Sequence, residues 1–585
     1  MEEGRERDGK WEGEWMEGGM VSGKVSGCME DECIEGGRER DGVVDAGGQL
    51  CKGNVKAGGP SAITSPLAYI SNAKYKIHTY KNSAGSIFDE APVTSSTCVT
   101  SGKVEASTAS LTTPHYNTSR QAGRWVRPLG YAERFMTFAH DYGCMTTIYS
   151  LWLESSKPLE FDFIKQTTVL MFRKMPNLRM HLDYRHGDIW WREMIHEVVD
   201  VEEITSDNVE ETVQELLRRR YRMHEGPLWF TRFVNLGEDD QYERDSNFNL
   251  KYKYVCIFGF HHNVSDGSTN MKFCQVFLKV LNDLYQGNNV DLSQVGTFAM
   301  PIHDRLGEEA GSIWFYMGIF LRRFYTILLT FGHPVWNFTS DYRMPFRQEA
   351  GTHLLQRDLD KVTTQNLLKR CKMEGVTLNS TFTAAANLAL YTMMLDKNKK
   401  LGLTHLCSQQ AINMRRYWPK EHRDNTFGCH ISLLDLSFPT QEEDLKAFWE
   451  YTRGVHNLLS YHLTETKRAL KLQPMSVRLG IIIRHNAMLA KLGLPSSNDN
   501  HYTVTNMGNL STTFPGSGPE VEVTKVLRTV SCHFMPTLCQ HTLQTFRGCL
   551  SYSLDYYTQK LSPETASQYA SIIMSILTSS IHQPN

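Results

Sequence analysis

The stretch FGFHHNVSDGSTN, residues 258–270, is the most informative part of the sequence. It contains two adjacent histidines, an aspartate four residues after the second one, and a glycine directly after the aspartate. The run YVCIFGF that leads into it is continuously apolar, which is typical of a buried strand. The segment TNMKFCQVFLKVLNDLYQG that follows has apolar residues at helical spacing and ends at Gly287. The pattern therefore predicts a strand, a loop from His261 to Gly267, and a helix from Thr269.

The residue types in this loop suit proton transfer. A neutral imidazole, whose ordinary pKa is about 6.5, accepts protons at neutral pH. Asp266 is placed to fold back beside the loop and pair with an arginine, and Gly267 is expected to turn the chain through a positive φ angle. On these residues alone, an ordinary strand-to-helix turn is an alternative. A metal site lacks further ligands at suitable spacing, and a serine hydrolase lacks its G-x-S-x-G turn, so we expect neither.

Composition and charge exclude other classes of function. The chain has 585 residues, a net charge of −2 and a pI of about 6.9, so its charge does not favour nucleic-acid binding. Its start, MEEGRERDGK, does not resemble a secretory signal, and its 13 cysteines include no CxxC pair. We therefore expect free thiols in a reducing compartment, which indicates a cytoplasmic protein without a structural zinc site.

The chain divides into four segments by composition. Residues 1–123 begin with 15 of the 42 glycines in the first 59 positions and continue as a Ser/Thr-rich stretch. We expect this segment to be disordered or to be absent from the mature protein. Residues 124–300 and 351–585 mix helical and strand patterns, and they predict two α+β lobes. Residues 301–350 form a hydrophobic crossover between the lobes.

The crossover contains a hydrophobic stretch at 312–331, which Arg322 and Arg323 interrupt. No unbroken run reaches the ~18 apolar residues that a membrane span requires. One interpretation is a buried helix between the lobes. The other is a helix that lies on a membrane surface or along a groove for a lipid substrate, which would make the protein peripheral to a membrane.

HHNVSDG, residues 261–267, matches the HHxxxDG motif of the chloramphenicol acetyltransferase-like superfamily. This superfamily includes nonribosomal peptide condensation domains, plant BAHD acyltransferases, alcohol acetyltransferases and wax-ester synthases. The resemblance covers about 124–580, because four further segments are similar to the family: MPNLRMHL, EGPLWFTRF, AINMRRYWP and VTNMGNL. The DFGWG motif of the plant BAHD enzymes is absent, so the chain is closer to alcohol acetyltransferases and condensation domains.

The resemblance implies two lobes that face each other across a central channel, with the second histidine, His262, as the catalytic base. It also implies that His261 shapes the loop and that Asp266 forms a salt bridge with an arginine of the second lobe. Arg415 in AINMRRYWP is our candidate for that arginine, and Arg416 is the fallback.

The same resemblance implies an enzyme that transfers an acyl group from acyl-CoA, as a co-substrate, to a hydroxyl or amine of a small molecule or lipid. No bound cofactor is expected. Asn506 in VTNMGNL is a candidate oxyanion or substrate ligand, and capping a turn is its alternative role. The chain shows no carrier-protein segment, which favours a stand-alone monomer. A condensation-type enzyme fed by a separate carrier protein is one alternative, and a catalytically silent scaffold is another.

Overall fold

The structure is a computed structural model, and it describes residues 123–238, 252–298, 300–301, 314–318, 321, 334–342, 351–494, 496, 498–514 and 520–583. The segment 1–123, for which we predict disorder, lies outside these residues except for Gly123. Of the hydrophobic stretch at 312–331, only 314–318 and 321 are described, so both interpretations of it stay predictions. Within the described part of the chain, no helix combines the length and the apolar character needed to cross a membrane.

Helices and strands are mixed along the described chain, which confirms the predicted α+β class. The elements before the crossover are β1 (Trp125–Pro128), α1 (Tyr131–Asp141), β2 (Thr146–Ser155), α2 (Phe161–Lys174), β3 (Met180–Arg185), β4 (Asp188–Glu193), β5 (Val201–Ile204), α3 (Val209–Leu216), β6 (Trp229–Glu238), β7 (Tyr252–His261), α4 (Gly267–Tyr285) and β8 (Thr297–Phe298). The later elements are α5 (Pro334–Asp341), β9 (Thr352–Leu359), α6 (Lys361–Met373), α7 (Leu378–Lys397), β10 (Thr404–Asn413), α8 (Lys420–Arg423), β11 (Thr426–Phe427), β12 (Ile431–Thr440), α9 (Phe448–Thr464), α10 (Arg468–Leu472), α11 (Val477–Lys491), β13 (Tyr502–Asn509), β14 (Val521–Val530), β15 (Cys539–Phe546), β16 (Cys549–Tyr557) and α12 (Pro563–Ser580).

β7 lies at the centre of the first sheet, whose strand order is β14-β2-β7-β6-β5. It pairs antiparallel with β2 and β6, and both of its faces are covered. Cys256, Phe258 and Phe260 pack into a core with α2 and α4, while Val255 and Ile257 pack on the other face against α3. A strand that is buried on both faces needs apolar residues at successive positions. This burial explains why YVCIFGF shows no polar alternation.

The second sheet has the strand order β12-β10-β13-β15-β16-β9 and contains both kinds of pairing. β13 pairs parallel with β10 and β15, and the remaining neighbours pair antiparallel. Its buried face packs on α7, where Ala385, Ala386 and Ala389 leave room for close approach of the helix. Residues of α9 and α12 complete the same core. Two further small sheets, β1-β4-β3 and β8-β11, lie outside these two.

β14 pairs with a strand from the other sequence segment. It belongs to the sequence segment 351–585, which we assigned to the second lobe, yet it pairs antiparallel with β2 in the first sheet. The register runs from Val521 opposite Ser155 to Val530 opposite Thr147. This pairing covers an edge of β2 that would otherwise present unpaired backbone groups. The first sheet is therefore built from both parts of the chain, which the division by composition did not anticipate.

Candidate active site

The HHNVSDG motif connects β7 to α4, since β7 ends at His261 and α4 begins at Gly267. The helix begins before the predicted Thr269 because Asp266 caps it: Asp266 Oδ1 accepts a hydrogen bond from Thr269 N at 3.0 Å. Our expectation of a positive φ at Gly267 is wrong, because this residue has ordinary helical geometry. The glycine lies against Met507 instead: a Cβ there would lie 3.0 Å from Met507 Cε, a contact that a small shift of this flexible side chain would relieve.

His262 follows directly after β7 and is buried, with 3% of its surface exposed. Its backbone N–H donates to Nε2 of His140 in α1, at a distance of 3.0 Å. Burial, followed by the positive charge of Arg528, lowers the pKa of His262 to about 4, while the loop backbone and Asp266 act in the opposite direction. The imidazole is therefore neutral at neutral pH and able to accept a proton.

Cys429 lies beside His262, with 3.9 Å between its Sγ and the Nδ1 of the histidine. Such a pair raises the question of a thiolate nucleophile. Burial, followed by the negative charges of Asp266 and Glu133, holds the pKa of Cys429 well above its usual value. Cys429 is therefore a neutral thiol at neutral pH, and the pair does not provide an activated nucleophile.

Asp266 and Arg415 form the salt bridge that the resemblance implies. Arg415 Nη1 donates to Asp266 Oδ2 at 2.6 Å, and His430 N donates to the same oxygen at 2.8 Å. Burial opposes ionisation of Asp266, but the charge and hydrogen bond of Arg415 outweigh it and bring the pKa to about 2. Arg415 Nη2 also donates to the Thr269 hydroxyl at 2.8 Å, so it ties the turn after β10 to the first turn of α4. Arg416, the fallback, is exposed.

His261 contacts the loop and α1. Its ring stacks on that of His140, with centroids 3.5 Å apart and planes inclined by 20°. Its Nδ1 accepts a hydrogen bond from Asn263 N at 3.2 Å, which closes the turn after the strand. Burial, together with the adjacent histidine rings, keeps the pKa of both His261 and His140 well below the usual value. These contacts agree with a role for His261 in shaping the loop.

Asn506 is exposed, and its Oδ1 accepts a hydrogen bond from Gly508 N at 2.8 Å. This is the turn-capping contact that we named as the alternative to oxyanion binding. Gly508 has a φ of 75°, so the turn after Asn506 uses a backbone conformation that favours glycine. A contact between Asn506 and a substrate stays a prediction.

Sequence reasoning missed three residues that lie close to His262: His140, Cys429 and Arg528. They come from α1, from the loop after β11, and from β14. Contacts between segments so far apart in the chain produce no periodic pattern or fixed residue spacing that a single sequence would reveal. The signal that led to the motif was local, and none of these three residues has a comparable one.

Other features of the described chain do not add to this site. Within the described ranges, no group of three or more histidine, cysteine or acidic side chains is arranged to hold a metal ion. A groove with a volume of about 410 Å³ runs between α4 and β14, and Lys272, Lys279 and Phe514 are among its lining residues. Neither His262 nor Asp266 lines this groove, so it is separate from the motif loop.

Known proteins resemble the chain in structure. No family model matches the sequence, and no curated protein matches it significantly. The TRI3 trichothecene 15-O-acetyltransferase from Fusarium sporotrichioides superposes with a TM-score of 0.56 at 12% identity, over 78% of this chain and 98% of that chain. The first condensation domain of the CDA synthetase superposes with a TM-score of 0.54 at 13% identity, over 78% of this chain and 97% of that chain.

The chain has a chloramphenicol acetyltransferase-like fold. Polyketide synthase associated protein 5 from Mycobacterium tuberculosis also matches it, with a TM-score of 0.52 at 11% identity, over 79% of this chain and all of that chain (100%). Identities this low establish the chloramphenicol acetyltransferase-like fold alone. A shared fold does not define the reaction, which depends on the residues of the site.

Proposed function

We propose that the protein transfers an acyl group from an acyl-CoA thioester to a hydroxyl or amine, with His262 as the general base. The observation that carries this proposal is a buried, neutral imidazole held in place at the end of β7 by the bond from its backbone to His140. The solved structures that share the fold include a 15-O-acetyltransferase, which supports the same class of reaction here.

In this mechanism His262 takes the proton of the acceptor as the acceptor oxygen or nitrogen attacks the thioester carbonyl. A carbon–oxygen or carbon–nitrogen bond forms, and the carbon–sulfur bond then breaks as His262 returns the proton to the departing thiolate. No covalent acyl-enzyme is formed. General-base assistance of this kind contributes roughly 10²–10⁴-fold, and alignment of the two substrates adds to it.

Asp266 supports the base without touching the reacting atoms. Its two carboxylate oxygens already accept hydrogen bonds from Thr269 N, Arg415 Nη1 and His430 N. It therefore has a structural task, which is to hold the start of α4 against the second lobe. In the proposed reaction its negative charge also favours the protonated form of His262 that arises in the transition state, because it raises the pKa of that histidine.

The release of free thiol from a panel of acyl-CoAs tests the proposal, with small alcohols, amines and extracted lipids as acceptors. The full chain is compared with His262→Ala and with His582→Ala, which removes an exposed histidine near the C-terminus. We expect acceptor-dependent release that disappears in His262→Ala and persists in His582→Ala. Release from a carrier-bound acyl group, with none from any acyl-CoA, would replace the proposal with a condensation-type enzyme. A folded protein that releases thiol from neither donor would be a scaffold.

A further inference from the structure

Arg528 lies on β14 in the interior of the protein, where 4% of its surface is exposed. In the sheet register it stands directly opposite Tyr149 of β2, so the two side chains project from the same face of the sheet. That face carries α4, because Tyr149 belongs to the core that the sheet forms with this helix. Arg528 therefore lies on the side of the sheet where the motif leads into α4.

Arg528 differs from the other buried arginines of the described chain. The others each form an ion pair with a carboxylate: Arg127 with Glu133, Arg232 with Asp200, and Arg415 with Asp266. Arg528 Nη1 donates to the Thr542 hydroxyl at 2.7 Å, but among the described residues its Nε has no acceptor and no carboxylate lies within ion-pair distance. A buried guanidinium without an anion has lost its hydration and gained no counter-charge, which is unfavourable.

Asp555 does not supply the missing counter-charge. Its oxygens accept hydrogen bonds from the Thr529 hydroxyl and the Val530 amide, and not from Arg528. Burial raises the pKa of Asp555 to about 7, although Thr529 and Arg528 act against this shift. This carboxyl is therefore a weaker counter-charge near neutral pH than an ordinary aspartate, and it makes no ion pair with Arg528.

Tyr149 adds a second donor at the same place. Its hydroxyl is buried beside the Arg528 guanidinium, which can only donate to the phenol oxygen, and among the described residues no group accepts the hydroxyl proton. A Cβ built on Gly267 would lie 3.6 Å from this hydroxyl, so the phenol reaches the first residue of α4, directly after the motif aspartate. A guanidinium N–H and a phenol O–H that both lack acceptors are complementary to the oxygens of an anion.

We propose that Arg528 and Tyr149 bind a carboxylate carried by one of the two substrates, either the acceptor or the acyl group. A carboxylate brings two oxygens and one negative charge, which match these donors. A phosphate brings more oxygens and more charge than this buried pair can satisfy. The inference rests on the proposed acyl transfer. It specifies that one of the two substrates of that reaction, the acceptor or the acyl donor, carries a carboxylate.

Matched pairs of substrates test the inference in the full chain. For the acceptor, phenyllactate and phenylalanine are each compared with their methyl esters, with butyryl-CoA as donor. For the acyl group, succinyl-CoA is compared with butyryl-CoA, with a neutral alcohol as acceptor. Each pair is measured with the unaltered protein, Arg528→Gln, Arg528→Lys, Tyr149→Phe and the control Arg484→Gln, which changes an exposed helical arginine.

We expect the unaltered protein to prefer the acid in one of the two arms, and that arm identifies which substrate carries the carboxylate. Arg528→Gln should lower kcat/KM for the acid about 100-fold more than it lowers kcat/KM for the neutral counterpart, whose own loss reports the effect of Arg528 on His262. Arg528→Lys should keep part of the preference, and Arg484→Gln should keep all of it. If Arg528→Gln does not fold, Tyr149→Phe tests the inference instead. We expect it to lower kcat/KM by about 10-fold for the acid alone.

Other outcomes overturn the inference. If Arg528→Gln lowered kcat/KM equally for the acid and its ester, Arg528 would be assigned to stabilising the oxyanion of the reaction. If the unaltered protein preferred the acid in neither arm, the carboxylate subsite would be refuted. If no pair of substrates releases thiol, acyl transfer itself fails. Calorimetric titration with phenyllactate and succinate distinguishes failure of the subsite from failure of the reaction. If either acid binds and Arg528→Gln abolishes the binding, the carboxylate subsite is upheld although acyl transfer is not. If neither acid binds, both the subsite and acyl transfer are refuted.

Discussion

The backbone N–H of His262 donates to Nε2 of His140 at 3.0 Å, although 122 positions separate the two residues in the sequence. An imidazole nitrogen that accepts a hydrogen bond carries no proton, so His140 is neutral and is protonated on Nδ1. Burial, together with the neighbouring histidines, keeps the pKa of His140 well below its usual value and maintains this state. A helix near the start of the described chain thus fixes the position of the candidate base.

His140→Phe is expected to lower kcat by about 10- to 100-fold with little change in KM. The phenyl ring keeps the stacking on His261 but removes the acceptor for His262 N, so the loop shifts and misplaces the base. His140→Gln, which retains an acceptor, should recover part of the lost kcat. Steady-state thiol release measures both constants. Equal kcat in all three proteins would show that the bond does not position the loop.

Asp266→Asn is expected to lower the free energy of unfolding by about 3–5 kcal/mol, because Arg415 then remains buried without its counter-charge. Urea denaturation measures this change. Asp162→Asn is the matched control, since it breaks the exposed pair with Lys165 and should cost at most about 1 kcal/mol. Combining Asp266→Asn with Arg415→Met should restore part of the stability, and a double variant no more stable than Asp266→Asn would contradict this account.

The proposed base predicts an unusual pH profile. An ordinary histidine would lose activity as the pH falls through about 6.5. Burial, and then the charge of Arg528, lowers the pKa of His262 to about 4, so the ring stays neutral at every pH above about 5. We therefore expect kcat/KM to be flat between pH 6 and 8 and to fall tenfold per pH unit only as the pH approaches 4 and below. An inflection near 6.5 that His262 controls would be inconsistent with a buried base.

Stability should decrease when the pH falls from 7 to 5. Burial lowers the pKa of His262, His430 and His533 to about 4 each, below the ordinary value of 6.5. Between these values the unfolded chain binds protons that the folded protein does not, so each histidine costs about 1.4 kcal/mol per pH unit. Asp555 has the opposite effect on stability. Burial raises its pKa to about 7, so as the pH falls below 7 the folded protein binds a proton that the unfolded chain does not. Urea denaturation at pH 7 and pH 5 measures the net loss, and a gain at pH 5 would refute this prediction.

The part of the site that could be predicted from sequence is the part that is continuous in sequence. Local apolar spacing encodes the strand, the loop with His262 and Asp266, and the following helix. This spacing arises because β7 is buried on two faces and α4 on one face. The resemblance added Arg415, because AINMRRYWP carries its own signature, and the structure confirms the ion pair with Asp266. Local reasoning failed at Gly267, whose φ is not positive and whose neighbour Met507 lies 240 positions away in the sequence.

By itself the sequence determined the α+β class and the strand–loop–helix around HHNVSDG, since periodicity and capping act over a few neighbouring residues. The tertiary structure alone decided that β14 crosses into the first sheet, that His140 and Cys429 contact His262, and that the charge of Arg528 acts on it. It also decided the protonation state of that histidine. A pKa depends on burial and on nearby charges, and both are set by segments that only folding brings together.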